Sequence, residues 1–130
     1  MSRENVELVR TGVEAWISGD VAAAFAMWDE KIEWIAPPED PDQPIVVGSA
    51  AAAEAMAQWM STWDAYRYEP GELIDAGEDV IQAGRQVMTA RGAEVSSEIF
   101  FVWTIREGRA VRLRMFYKRD QALKAVGLAE

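Results

Sequence analysis

Three turn sequences divide the second half of this 130-residue chain: Ala76-Gly77-Glu78-Asp79, Arg91-Gly92-Ala93 and Arg106-Glu107-Gly108-Arg109. Each carries a glycine where a hairpin turn needs positive φ. The segments they separate, about 66–75, 79–91, 94–106 and 109–118, read as strands, and such short connections join antiparallel neighbours. The first half reads differently. Val6, Val9, Val13, Trp16 and Ile17 fall on one face of a helix over 4–18, which Gly19 ends. Asp20 can cap a second helix over about 21–30, turning Val21, Phe25 and Trp28 inward. A short strand at 31–35 places Ile32 and Trp34 on one face.

Residues 36–47 hold Pro37, Pro38, Pro41 and Pro44 and read as a loop. Gly48-Ser49 opens a third helix with Met56, Trp59, Met60 and Trp63 as its apolar stripe, and Asp120 is placed to cap a last helix that Gly127 stops. The order α-α-β-α-β-β-β-β-α, with helices first and strands later, predicts an α+β domain with helices on one face of a sheet. The length suits one domain over 1–130 with a substantial core, and half the residues are hydrophobic.

Several function classes drop out on composition. A net charge of −9 disfavours nucleic acid and anionic membrane surfaces. With no Cys and no His, thiolate chemistry, iron–sulfur clusters and the commonest general base and metal ligand are missing. Glu39, Asp40 and Asp42 lack the spacing of a calcium loop. Neither a cofactor nor a metal is expected. No apolar run approaches the ~20 residues of a membrane helix, and the polar start lacks a signal-peptide core, so a cytoplasmic protein is expected.

Strand parity sets out a candidate lining. Phe101, Trp103 and Ile105 alternate on one strand face, and Val111, Leu113, Met115 and Tyr117 on another. Both sets are expected to face the helices, leaving Glu98, Thr104, Arg112 and Arg114 on the opposite face.

The chain resembles the SnoaL-like (polyketide-cyclase-like) branch of the nuclear transport factor 2-like superfamily. The resemblance spans nearly the whole sequence. It is carried by Gly19-Asp20, by the run from Phe25 through Trp28-Asp29-Glu30 to Trp34, by Gly48-Ser49, by Phe101-Val102-Trp103 through Gly108-Arg109, and by the tail from Ala122 to Leu128. It implies a cone-shaped fold, a cystatin-like α+β roll in which a curved mixed or antiparallel sheet wraps around the N-terminal helices and encloses a pocket. It also implies a homodimer through the convex sheet face. Trp34, Trp59, Trp63, Phe101, Trp103, Met115 and Tyr117 are then the expected ligand-binding walls, with Tyr117 a hydrogen-bond donor. By analogy with the family's hydrolases, Arg85, Val87 and Thr89 face inward and Arg85 is a cation able to hold an acidic ligand.

The family's catalytic carboxylates find no counterpart. In the isomerases they fall at Trp34 and Phe101, and in the hydrolases the Arg and two Asp positions fall at Arg85, Val87 and Met115. Glu33, Asp64 and Glu14 read as surface acids, so the catalytic residues are not identified. The sequence therefore favours a pocket protein that binds a small apolar or aromatic molecule. The alternatives are an isomerase, cyclase or epoxide-hydrolase-type enzyme with non-standard residues, or a non-catalytic dimeric interaction domain whose own Trp side chains fill the cone.

Overall fold

The computed structural model of the protein describes residues 2–41 and 44–128. The elements run α1 (Ser2–Ser18), α2 (Val21–Phe25), β1 (Trp28–Ile35), β2 (Ile45–Val47), α3 (Ser49–Ser61), β3 (Ala65–Ala76), β4 (Asp79–Ala90), β5 (Ala93–Arg106), β6 (Arg109–Phe116) and α4 (Arg119–Ala125). The strands form one curved six-stranded sheet in the order β2-β1-β6-β5-β4-β3. All its neighbouring pairs are antiparallel except β1 with β6, which makes the sheet mixed. The architecture is the α+β cone. No described helix is long and apolar enough to cross a membrane.

Turn chemistry sets the sheet register. Arg91 and Gly92 have φ of 53° and 79°, the two successive positive values of a tight hairpin turn. Ala90 therefore pairs with Ala93, and Gln82 lies opposite Phe101. The Arg91 amide donates to the Asp64 carboxylate at 2.9 Å, which fastens this turn to the end of α3. Asp64, considered above as a surface acid, thus has a structural partner.

The core lies on both faces of the sheet. On the inner face Val9 of α1 packs with Trp28, Ile32, Val80, Trp103 and Leu113. On the outer face Ile81, Phe100 and Val102 pack under Ala122 of α4, with Leu123 and Val126 alongside. The tail turns back as the sequence suggests, the Leu128 amide donating to the Leu123 carbonyl at 2.9 Å. The outer face is therefore partly a second core rather than a row of solvated side chains. Arg112 pairs there with Glu33 at 3.1 Å, and Arg114 lies 3.8 Å from Asp79.

Several expectations are corrected. The 36–47 loop ends in a strand, because Ile45-Val46-Val47 pairs along the edge of β1. Three β-branched residues after a proline are too short a run to betray a strand in sequence. The second helix stops at Phe25, and Trp28 begins β1. Ile17 and Val21 are exposed at the junction of α1 and α2. Asp20 does cap α2, accepting from the Ala23 amide at 3.1 Å, but α4 has Lys118 at its N-cap and Asp120 inside its first turn. Asp42 lies outside the described residues.

Candidate functional site

The inner face of the sheet, α1 and α3 leave a hollow of about 570 Å³ between them. That volume lies within the ~300–1,000 Å³ typical of small-molecule sites. Aromatic rings form its walls. Phe25 lies between Trp16 and Trp28, with ring centroids 6.2 and 4.6 Å away, and Trp28 reaches Trp103 at 6.0 Å. Across the hollow Trp59 of α3 meets Tyr66 of β3 edge-on at 5.8 Å, and Tyr68 meets Phe101 at 6.1 Å. Met56, Met60 and Met115 supply deformable apolar surface between the rings.

Of the residues marked out from sequence, Trp34, Trp59, Phe101, Trp103, Met115 and Tyr117 come together around this hollow. Trp63 does not. It lies past the end of α3 and packs edge-on against Trp59 at 6.0 Å. Arg85 is the larger correction. Its side chain is exposed on the outer face, opposite Glu98 in the ladder, with Nη1 3.4 Å from Ser96 Oγ. The parity of β4 is the reverse of the one expected, and Gln82 and Gln86 face the hollow.

These two glutamines and two tyrosines of β3 are what sequence reasoning missed. Trp103 Nε1–H donates to Gln82 Oε1 at 2.8 Å, and Gln82 Nε2–H donates to Tyr68 Oη at 3.0 Å. The Tyr68 hydroxyl then donates to the Ala83 carbonyl at 3.3 Å. Beside this chain Tyr66 Oη–H donates to Gln86 Oε1 at 3.1 Å. Gly84 makes the arrangement possible: a Cβ there would overlap the phenol end of Tyr68. The Tyr68 hydroxyl reaches across β4 to Ala83 because position 84 has no side chain. The indole N–H groups of Trp34 and Trp63 are buried without a partner among the described residues. Each such group costs about 1–3 kcal/mol against a bonded one.

Electrostatically the hollow is almost neutral. Among its described lining residues there is no Lys or Arg, and Asp40 is the one acid, exposed at the rim beside Tyr117. No group of three or more acids comes together as a metal site among the described residues. Burial raises the pKa of Tyr66, Tyr68 and Tyr117, because the phenolate would lose its hydration. The neighbouring Tyr68 adds to the rise at Tyr66, and the Glu39 and Asp40 carboxylates add to it at Tyr117. At Tyr68 the hydrogen bond from Gln82 opposes it.

This has a consequence for alkaline stability. A folded pKa above the unfolded one means the native state holds protons that the unfolded chain releases. The tyrosine contribution is thus intact below the unfolded pKa of about 10 and is lost as pH rises toward the folded values. Urea midpoints are expected to show no tyrosine-linked change between about pH 7 and 9 and to fall above about pH 10, together with delayed tyrosinate absorbance. Tyrosinate forming at the ordinary pKa with no loss of stability would contradict this.

The sequence profile of the SnoaL-like domain matches residues 9–113, most of the chain. The chain belongs to the SnoaL-like domain family. This places it in the nuclear transport factor 2-like superfamily, and solved structures agree with that assignment at the level of the fold. An NTF2-like protein from Burkholderia thailandensis is 25% identical, with a TM-score of 0.78 over 91% of this chain and 95% of that one. Bal32a, from a soil-derived mobile gene cassette, is 19% identical with a TM-score of 0.79, covering 96% and 97%. TerC, crystallised with polyporic acid, is 20% identical with a TM-score of 0.77, covering 95% and 98%. No curated protein matches the chain. Within this SnoaL-like domain, the positions where the resemblance puts isomerase carboxylates hold the indole of Trp34 and the ring of Phe101, both in the wall of the hollow.

Proposed function

We propose that this SnoaL-like domain binds a small, flat, mostly apolar aromatic molecule in the hollow between its helices and sheet. The observation that carries the reading is the roughly 570 Å³ cavity walled by Trp, Phe, Tyr and Met side chains, with Asp40 at the rim the one charged group among its described lining residues. Burial of an aromatic ligand against such walls supplies affinity through apolar area and ring contacts. TerC, of similar fold, was co-crystallised with polyporic acid, which supports a small-molecule occupant for a hollow of this architecture. An open hollow of this size disfavours an interaction domain filled by its own tryptophans.

Titration with the tricyclic hydrocarbon fluorene tests the proposal. Saturable quenching of Trp fluorescence is expected, with one site per chain by equilibrium dialysis and the compound recovered unchanged. Absence of saturable binding by fluorene and by naphthalene would overturn it.

One observation favours a second reading, an isomerase, cyclase or epoxide-hydrolase-type enzyme. Asp40 stands at the rim close enough for its charge to raise the Tyr117 pKa. In that reading the carboxylate serves as base and the phenol as donor to a substrate entering at the mouth. Turnover of an epoxide or ketone panel that is abolished by Asp40→Asn would establish that reading. A homodimer through the outer sheet face is part of the same proposal, tested by the solution mass.

A further inference from the structure

The hollow has one polar wall, and its hydrogen bonds are unevenly committed. Gln82 is 7% exposed and is held at both ends of its amide, Oε1 accepting from Trp103 and one Nε2 proton going to Tyr68. Gln86 is 5% exposed and uses only its oxygen, which accepts from Tyr66. Its Nε2 carries two protons, and no described residue accepts from it, although Gln86 lines the hollow. Nor is Nε2 among the side-chain atoms shut off from the surface without a partner, a set that includes Trp34 Nε1 and Trp63 Nε1. It is an accessible donor on a side chain otherwise held in place. Tyr66 meets the oxygen end of the amide, which leaves the nitrogen end for a ligand.

Charge decides what this donor can serve. No Lys or Arg lines the hollow among the described residues, and the exposed Arg85 is on the far face of the sheet. A carboxylate taken into the hollow would lose its hydration with no cation to replace it, a cost far above that of a neutral oxygen. The tyrosines are neutral phenols at neutral pH and carry no positive charge to offset it.

We infer that Gln86 is the polar anchor of the site, and that the hollow selects an uncharged, flat aromatic ligand whose ketone or quinone oxygen accepts from Gln86 Nε2–H. The inference rests on the proposed binding function and narrows its ligand class. It replaces the acidic ligand that an inward Arg85 would have implied. The Gln82–Tyr68–Trp103 chain stands beside it as a wall whose glutamine is fixed at both ends of its amide.

Three tricyclic probes of one shape test this: fluorene, fluorenone and a fluorene carboxylate, compared by equilibrium dialysis at neutral pH. Fluorenone is expected to bind about tenfold tighter than fluorene, the worth of one buried hydrogen bond, and the carboxylate to bind weakest of the three. In Gln86→Leu and Gln86→Glu the ratio of fluorenone to fluorene affinity is expected to collapse to near one. The glutamate variant keeps the acceptor for Tyr66 and so controls for loss of packing. Equal binding of fluorenone and fluorene by the wild-type chain would overturn the inference. So would a carboxylate that binds as tightly as the ketone, or a preference that survives both substitutions. In each of those cases fluorene still binds and the hollow remains a ligand site. Failure of all three probes would instead overturn the binding function, and this inference with it.

Discussion

Phe100→Ala is expected to lower the unfolding free energy by about 3–5 kcal/mol, the range for truncating a fully buried Phe. The adjacent Phe101→Ala is expected to cost only about 1–2 kcal/mol, within the ordinary range for partly buried positions. The two rings are neighbours in sequence and lie on opposite faces of β5. Phe100 is 2% exposed and sits under α4 with Ile81, Val102 and Ala122, so its removal leaves a void that the surrounding side chains cannot close. Phe101 borders a space that is already open, and its loss mainly widens that space. Binding should respond in the reverse order: Phe101→Ala weakens fluorene binding through lost ring contact, while Phe100→Ala leaves the walls of the hollow intact. Urea denaturation of both variants at one temperature gives the comparison, and equal stability losses would contradict the assignment of faces.

Gly84→Val is expected to be nearly as damaging, although it adds atoms instead of removing them. The new side chain would overlap the hydroxyl end of the Tyr68 ring. Displacing that ring strains the packing by about 1–3 kcal/mol. It also withdraws the acceptor from Gln82 Nε2, whose buried donor then goes unmet at a further cost of about 1–3 kcal/mol. Because Gln82 is the partner of the Trp103 indole, the disturbance is expected to reach Trp103 and change its near-ultraviolet dichroism. Truncating Tyr68 in the same chain, as Gly84→Val with Tyr68→Ala, should recover part of the packing cost, since the three atoms nearest the new Cβ all belong to Tyr68. A Gly84→Val variant as stable as the wild type would mean that Tyr68 does not lie over β4.

Much of this architecture was legible in sequence, because hairpin glycines and alternating side chains are local signals. The turns at Gly77, Gly92 and Gly108 gave the long strands to within a residue or two, and the alternation of Phe101, Trp103 and Met115 gave their inner faces. The inward position of Gln82 was also within reach. The two-residue turn at Arg91-Gly92 sets Ala90 opposite Ala93, and counting outward from that pair brings Gln82 opposite Phe101. An inward Phe101 therefore requires an inward Gln82, and with it Gln86, while Arg85 must face out. The analogy with hydrolases pulled the reading the other way, toward a functional arginine that this strand does not present to the hollow. Other features had no local signal. The parallel pairing of β1 with β6 joins residues about eighty positions apart, and the burial of Phe100 depends on where α4 docks. The polar wall is equally non-local, since its bonds join β3, β4 and β5 side chains.

The central claim is that an aromatic ligand enters the hollow between the helices and the sheet. It is tested most directly by labelling all six tryptophans with a fluorine probe, assigning them by single Trp→Phe substitutions, and adding fluorene. Trp28, Trp34 and Trp103, deep in the wall, are expected to shift and saturate together, while Trp63 shifts least. Saturation that moves Trp63 and leaves Trp28, Trp34 and Trp103 unchanged would place the ligand outside the hollow and contradict the account.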